Sequence, residues 1–371
     1  MSSLDLPPGY YYISAFLFGL LIGSFLNVVI HRLPRGDSII FPGSHCFACG
    51  VAIRPFDNIP LISYALLGGR CRSCRARISP LYPLVELLTG TLFAAIVFKT
   101  GPGWEAFFEM AFAGVMVVLI FIDARYQLLP NVITYPSFVF AFAAATIRSG
   151  WGEQSTNFIG PSLSPTALDS EFIISRAALI GGLLLALAAI GFRLLDYLDL
   201  ILFNKYFDWE EENNGFRKES EKPADSGQLT IRVAMIFGIL ISVLWVITVF
   251  IYSPKDQLAF SDAYHGLLDA SFGALFGGGL LWCLRALYFY IRGFEGMGLG
   301  DIKMMSVVGA FLGLGGAIGA LLLGSIAGVI AGLILIYRGG REFKTPLPFG
   351  ACLGVASLIV MTLAPFNFAK P

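Results

Sequence analysis

"VVLIFIDARYQLLPNVITYP", residues 117–136, decides the class of fold. An unbroken apolar run delivers one aspartate, Asp123, to its end, and Arg125, Gln127 and Pro130 follow at once. The same pattern of long apolar stretch and short polar seam recurs along the chain. Composition agrees: 56% of the 371 residues are hydrophobic and 13% are charged, and mean hydropathy is +0.75. Soluble domains carry roughly 25% charged residues. The sequence therefore predicts an all-α polytopic membrane protein, with about 20 apolar residues to each crossing.

Counting outward from residues 117–136, spans are expected near residues 10–31, 80–99, 104–123, 132–148, 172–195, 231–252, 266–291, 305–320, 322–338 and 347–364, about ten transmembrane helices in all. The start "MSSLDLPPGYYYISAFLFG" is acidic rather than basic, and no small-residue cleavage site precedes its polar flank, so no cleaved signal is expected. Loop charge sets orientation. Seventeen lysines and arginines, among them Arg32, Arg35, Arg54, Arg72, Arg125, Arg292 and Lys303, fall on one side; Lys99, Arg148, Lys255 and Lys370 fall on the other. The first side is expected to be cytoplasmic, which turns both termini outward. The net charge of zero conceals this asymmetry.

Between the first two spans, residues 32–79 carry "CFAC" and "CRSC", giving Cys46, Cys49, Cys71 and Cys74 with 21 residues between the pairs. Thiols in a reducing compartment do not persist as disulfides. Two CxxC knuckles at this spacing suit four-thiolate coordination of zinc, which would make the loop a small zinc-knuckle domain. Four metal-free cysteines and a redox dithiol are the alternatives, although a dithiol needs only one CxxC. His45 is left out because the thiolate set is already complete. Such a closed site has no open coordination position, so its zinc would be structural. Cys283 and Cys352 fall inside spans and read as packing residues.

Carboxylates near the spans are few: Glu86, Asp123, Asp196, Asp199 and Asp301, with Glu105 and Glu109 at the opposite face. Asp123 ends the third span, and Asp301, in "GMGLGDIK" (296–303), begins the eighth at the same surface. Two such carboxylates could meet and share one proton, one serving as base toward water and the other as acid toward a scissile carbonyl. The plainer alternative is that each caps a helix, Asp301 standing where an N-cap accepts backbone N–H groups. Asp196 and Asp199, in "LLDYLDLILFN", compete for the same duty but precede a charged stretch.

At this point the chain resembles the type IV prepilin peptidases, the GxGD family of membrane aspartic proteases. The resemblance rests on "GSFLNVVIHRLPRG" (23–36), "CFAC" with "DNIPLISYALLGGRCRSC" (57–74), "YPLVELLTG" (82–90), "IDARYQLLPNVITYP" (122–136), "EGMGLGDIKMMSVVGAFLG" (295–313) and "PLPFGACLG" (346–354). It implies that Asp123 and Asp301 are the catalytic pair, with Gly298, Gly300 and Lys303 supporting the motif; the glycines would let the helix start approach the substrate, and Asp301 would activate water. It implies cleavage of a basic leader after a glycine in type IV prepilins or type II secretion pseudopilins, in the bacterial inner membrane and at its cytoplasmic face. It further implies methylation of the new N-terminus with S-adenosylmethionine, an activity associated with the four-cysteine loop. No nucleotide-binding fingerprint stands in that loop, so the cofactor is inferred by resemblance alone. Glu86 is a candidate to hold it, and equally a helix acid paired with Arg77 or another loop arginine. The partners implied are prepilin or pseudopilin substrates and the lipid bilayer, with no nucleic acid.

The expected organisation is a first transmembrane helix (1–31), the zinc loop (32–79), helices carrying Asp123 (80–148), an insert with two extra helices (149–265) and helices carrying the GxGD motif (266–371). Within the insert, residues 204–228 are charged and poor in aliphatic residues and read as disordered. Gly309, Gly313, Gly315, Gly319, Gly324, Gly328 and Gly332 stand at small-xxx-small spacings that favour close helix contact. A transporter would use the acids and the glycines, but no inverted repeat is visible. A zinc-stabilised adaptor would use the cysteines and leave both aspartates idle.

Overall fold

The computed structural model describes residues 7–151, 257–293, 296–339 and 347–363. The spans expected at 172–195 and 231–252, Asp196, Asp199 and the 204–228 segment lie outside the described residues. Helices α1 (Pro8–Arg32), α3 (Leu81–Thr100), α4 (Trp104–Tyr126), α5 (Asn131–Trp151), α6 (Gln257–Arg292), α7 (Leu299–Gly339) and α8 (Phe349–Leu363) form a bundle, and a short α2 (Ile62–Leu66) lies in the cysteine loop. Prolines and αL residues punctuate them. Pro8 opens α1 and Pro34 follows its end; α4 stops at Gln127, whose backbone is left-handed, and Pro130 precedes α5.

Five of the described helices are long and apolar enough to cross a membrane, and 131–145 and α8 are shorter apolar helices. This is a multi-helix membrane protein, and its outward faces carry apolar side chains such as Ile13, Leu17 and Leu21 that a bilayer would cover. The expected division of 305–338 into 305–320 and 322–338 needs correction. The break in α7 falls at Gly313, whose φ of 71° is left-handed. Asp269 of α6, an acid overlooked in the sequence, accepts the Leu314 N–H at 3.2 Å and so caps the second half.

Glycines set the helix contacts. Gly19 and Gly23 of α1 lie against Gly90 and Glu86 of α3, and Gly273, Gly277 and Gly278 of α6 lie against Gly309, Met305 and Ser306 of α7. Beyond the break, Gly319, Gly324, Gly328 and Gly332 meet Val360, Leu353, Phe349 and Leu347 in that order. The second half of α7 is thus antiparallel to α8. Because α8 starts beside Asp301, the two halves of α7 also run against each other. Gly315 faces open space, so the small-residue pattern overstates the contacts by that position.

At one end of the bundle Glu109 Oε1 lies 3.6 Å from Lys99 and 3.7 Å from Arg148. The opposite end carries Asp123, Asp301 and the cysteine loop. Phe112 stacks on Phe311 between these ends, centroids 4.1 Å apart and planes at 7°, joining α4 to α7 in the core.

Candidate active site

Asp123 sits in the last turn of α4 and Asp301 in the first turn of α7, 5% and 8% exposed. They are far apart in sequence, and α8 brings them to one place. A Cβ built on Gly350, in the first turn of α8, would stand 2.7 Å from Asp301 Oδ1 and 2.9 Å from Asp123 Oδ2. The two oxygens therefore cannot be farther apart than those distances combined. Ala351 donates its backbone N–H to Asp123 Oδ2 at 2.7 Å. This N–H belongs to the turn whose donors have no partner inside the helix, and the positive end of the helix dipole faces the same carboxylate. Gly350 and Ala351 went unremarked in the sequence. The signal was present in "PLPFGACLG", a glycine just after two prolines at a helix start, but nothing local says that it meets two distant acids, one of them more than 200 positions away.

The motif glycines differ from each other. A Cβ at Gly300 would strike Leu129 Cβ at 2.8 Å, so that glycine admits the α4–α5 connection, whereas Gly298 has open space beside it. Lys303, counted with the charges of the positive side, is buried rather than solvated. It is 6% exposed, donates to Asn131 Oδ1 at 2.9 Å and lies 5.4 Å from the Tyr135 ring centre.

Cys46, Cys49, Cys71 and Cys74 converge, with all four sulfurs within 4.8 Å of one another and Cys46 3.8 Å from Cys74. A tetrahedral site with Zn–S bonds of about 2.3 Å has S···S edges of about 3.8 Å. The two knuckles repeat one backbone plan. Gly50 and Arg75, each following a second cysteine, are left-handed and return N–H bonds to Cys46 O and Cys71 O at 2.8 and 3.0 Å. The N–H groups of Cys49 and Ala48 pull the Cys46 thiol down to about 6. These four cysteines could hold a metal ion, and His45, whose Nδ1 faces Gly43 O at 3.0 Å, stands outside the set.

Under the knuckles lies a cavity of about 1060 Å³ bounded by the loop, α1, α3 and the end of α4. Its wall includes the His31 ring stacked on Tyr82 and tilted against Phe47, each at 5.3 Å. Arg125, two residues beyond Asp123, reaches the same wall, its Nη1 3.3 Å from His31 Nε2. Glu86 lines the cavity, yet its Oε2 accepts the Leu61 N–H at 2.9 Å and its carboxylate also meets Ser24. No Arg77 pairing accompanies it among the described contacts. Leu61 has a left-handed φ of 59°, a costly conformation for leucine that this bond helps to hold.

Paired acids at helix ends inside an apolar bundle, beside a four-cysteine loop, define a multi-pass membrane protein with the makings of an intramembrane aspartic hydrolase. The bacterial peptidase A24 N-terminal domain matches residues 17–100, and the type IV leader peptidase family matches residues 231–333. The second match opens inside the stretch expected as an insert, and Asp123 lies between the two. The chain is 28% identical to the prepilin leader peptidase/N-methyltransferase of Pseudomonas aeruginosa over 93% of its own length and 88% of that protein. It is also 28% identical to that of Aeromonas salmonicida over 95% and 91%, and 36% identical to that of Myxococcus xanthus over 53% of each. The chain belongs to the type IV leader peptidase family. No solved structure matches it.

Proposed function

We propose that this protein is a prepilin peptidase and N-methyltransferase. It cuts the basic leader of type IV prepilins or type II secretion pseudopilins after a glycine and then methylates the new amine with S-adenosylmethionine. The observation that carries the peptidase half is the meeting of Asp123 and Asp301 at the first turn of α8, each presenting an oxygen within 3 Å of the Gly350 Cβ position. With one proton between them, one carboxylate takes a proton from the attacking water while the other gives a proton to the scissile carbonyl oxygen. Collapse of the resulting tetrahedral carbon breaks the C–N bond, and the leaving nitrogen takes up a proton.

The four cysteines hold structural zinc, consistent with their sulfur separations. The cavity beneath them is the place for the methyl donor. Its size suits a ligand of that class, at the upper end of the roughly 300–1,000 Å³ of small-molecule sites. Its aromatic wall offers flat faces to a purine or a sulfonium. When bound there, the donor supplies the methyl group that the free amine of the processed pilin attacks. Glu86 supports the cavity through Leu61 more than it offers a free carboxylate. The arginine-rich loop side faces the cytoplasm of a bacterial inner membrane, so both reactions run at that surface.

The test is incubation of detergent-purified protein with a prepilin, with and without S-adenosylmethionine, read by intact mass. The expected result is loss of the leader mass in both arms, with a further gain of one methyl group only with the donor. An uncut prepilin would overturn the reading.

A further inference from the structure

The two carboxylates ride on different helices, α4 and α7, which also meet directly at Phe112 and Phe311. Asp301 rides on α7, whose first half lies against α6 through Gly273, Gly277 and Gly278. Asp123 rides on α4, which is tied to α8 twice: by the Ala351 N–H bond, and one turn on by Gly354, where a Cβ would meet Ile120 Cγ1 at 2.5 Å. The first turn of α8 stands where these helices meet.

Gly350 does not have a left-handed backbone, so conformation does not require glycine there. Room does. At 2.7 and 2.9 Å a methyl carbon overlaps an oxygen of each acid, and it could be admitted only by spreading the carboxylates or sliding α8 away. Helix α8 cannot slide freely, because Ile120 and Ala351 hold it against α4.

We infer that Gly350 and the Ala351 N–H are positioning residues of the peptidase, the first leaving space in which both acids face one substrate and the second fixing the Asp123 carboxylate. This rests on the reading of Asp123 and Asp301 as the hydrolytic pair. Neither group touches the reacting atoms, and both act through the geometry of the two acids.

The ordinary alternative is that Gly350 is a packing glycine like its neighbour, and Gly354→Ala measures that role on the same helix. Four purified variants, Gly350→Ala, Ala351→Pro, Gly354→Ala and Asp301→Asn, are compared for initial rates over a range of prepilin concentrations. Thermal unfolding and methylation of an already processed pilin report folding. A misplacement of about 1 Å costs about 10²-fold in rate. Gly350→Ala is expected to lose about that much in kcat with KM little changed, while still methylating processed pilin. Ala351→Pro lies in the first helical turn, where proline is tolerated; it replaces the donor with a ring carbon aimed at Asp123 Oδ2 and so displaces that carboxylate, and it is expected to lose kcat in the same sense. Gly354→Ala is expected to unfold at lower temperature and to lose less kcat than Gly350→Ala. If Gly350→Ala fails to fold, Ala351→Pro decides. Normal kcat in Gly350→Ala or, in that event, in Ala351→Pro, with Asp301→Asn inactive, overturns the inference alone. Cleavage by Asp301→Asn overturns the pair reading and this inference with it.

Discussion

Lys303, two residues beyond Asp301, donates to Asn131 at the first residue of α5, with 2.9 Å between Nζ and Oδ1. The bond ties the GxGD helix start to the segment that follows Asp123. Gly300, pressed on Leu129, reinforces the same junction. Replacing Lys303 by Met keeps the stem and removes the donor. Asn131 is exposed, so water can replace the lost donor and the cost is that of an ordinary hydrogen bond, about 0.5–1.5 kcal/mol; Lys303→Met should unfold at a slightly lower temperature in detergent. An unchanged unfolding temperature would show that the bond contributes nothing.

Much of this was legible in the sequence because its signals are local. Apolar runs give spans, CxxC pairs give a four-cysteine cluster that could hold a metal, and an acid at a helix end stands out against grease. The break at Gly313 was misplaced because 305–338 is uniformly apolar and rich in glycine, so nothing in hydropathy marks where the helix turns back. Asp269 escaped notice because its partner is a backbone N–H 45 residues away. Glu86 was visible as an acid in a span, but its bond to Leu61 depends on how the loop folds down. Gly350 belongs to the same class, since its importance exists only once α4, α7 and α8 have met.

Glu86→Ala removes the acceptor that holds Leu61 in its left-handed conformation. The loop should loosen over residues 55–66, read as faster limited proteolysis there. Methylation of processed pilin should fall, and prepilin cleavage should persist because the two aspartates lie on other helices. Equal loss of both activities would instead make Glu86 a support of the whole bundle.

Metal retention should depend on pH with a definite sign. Ligation needs thiolates, and protons compete with zinc for them, so the stabilisation by zinc should be present near neutrality and fade as pH falls. Release into a colorimetric indicator, followed from pH 7.5 to 5, measures it. Pure, active protein carrying no zinc at neutral pH would remove the metal from the account.

Residues 204–228 lie outside the described residues and outside both family matches. Deleting them and joining the flanks by a short flexible linker should leave prepilin cleavage within a few-fold of normal in a correctly inserted protein. Lost turnover would make this segment part of substrate capture.

The central claim is that Asp123 and Asp301 act as one unit, and a double-variant comparison of prepilin cleavage tests it most directly. Asn keeps size and hydrogen bonding but cannot share the proton. Each single variant should therefore lose about 10²–10⁴-fold or more in cleavage rate, while still inserting and methylating processed pilin. Asp123→Asn with Asp301→Asn should be no slower than the slower single variant, since a broken unit loses nothing further. Retained cleavage in either single variant, or losses that multiply in the double, would contradict it.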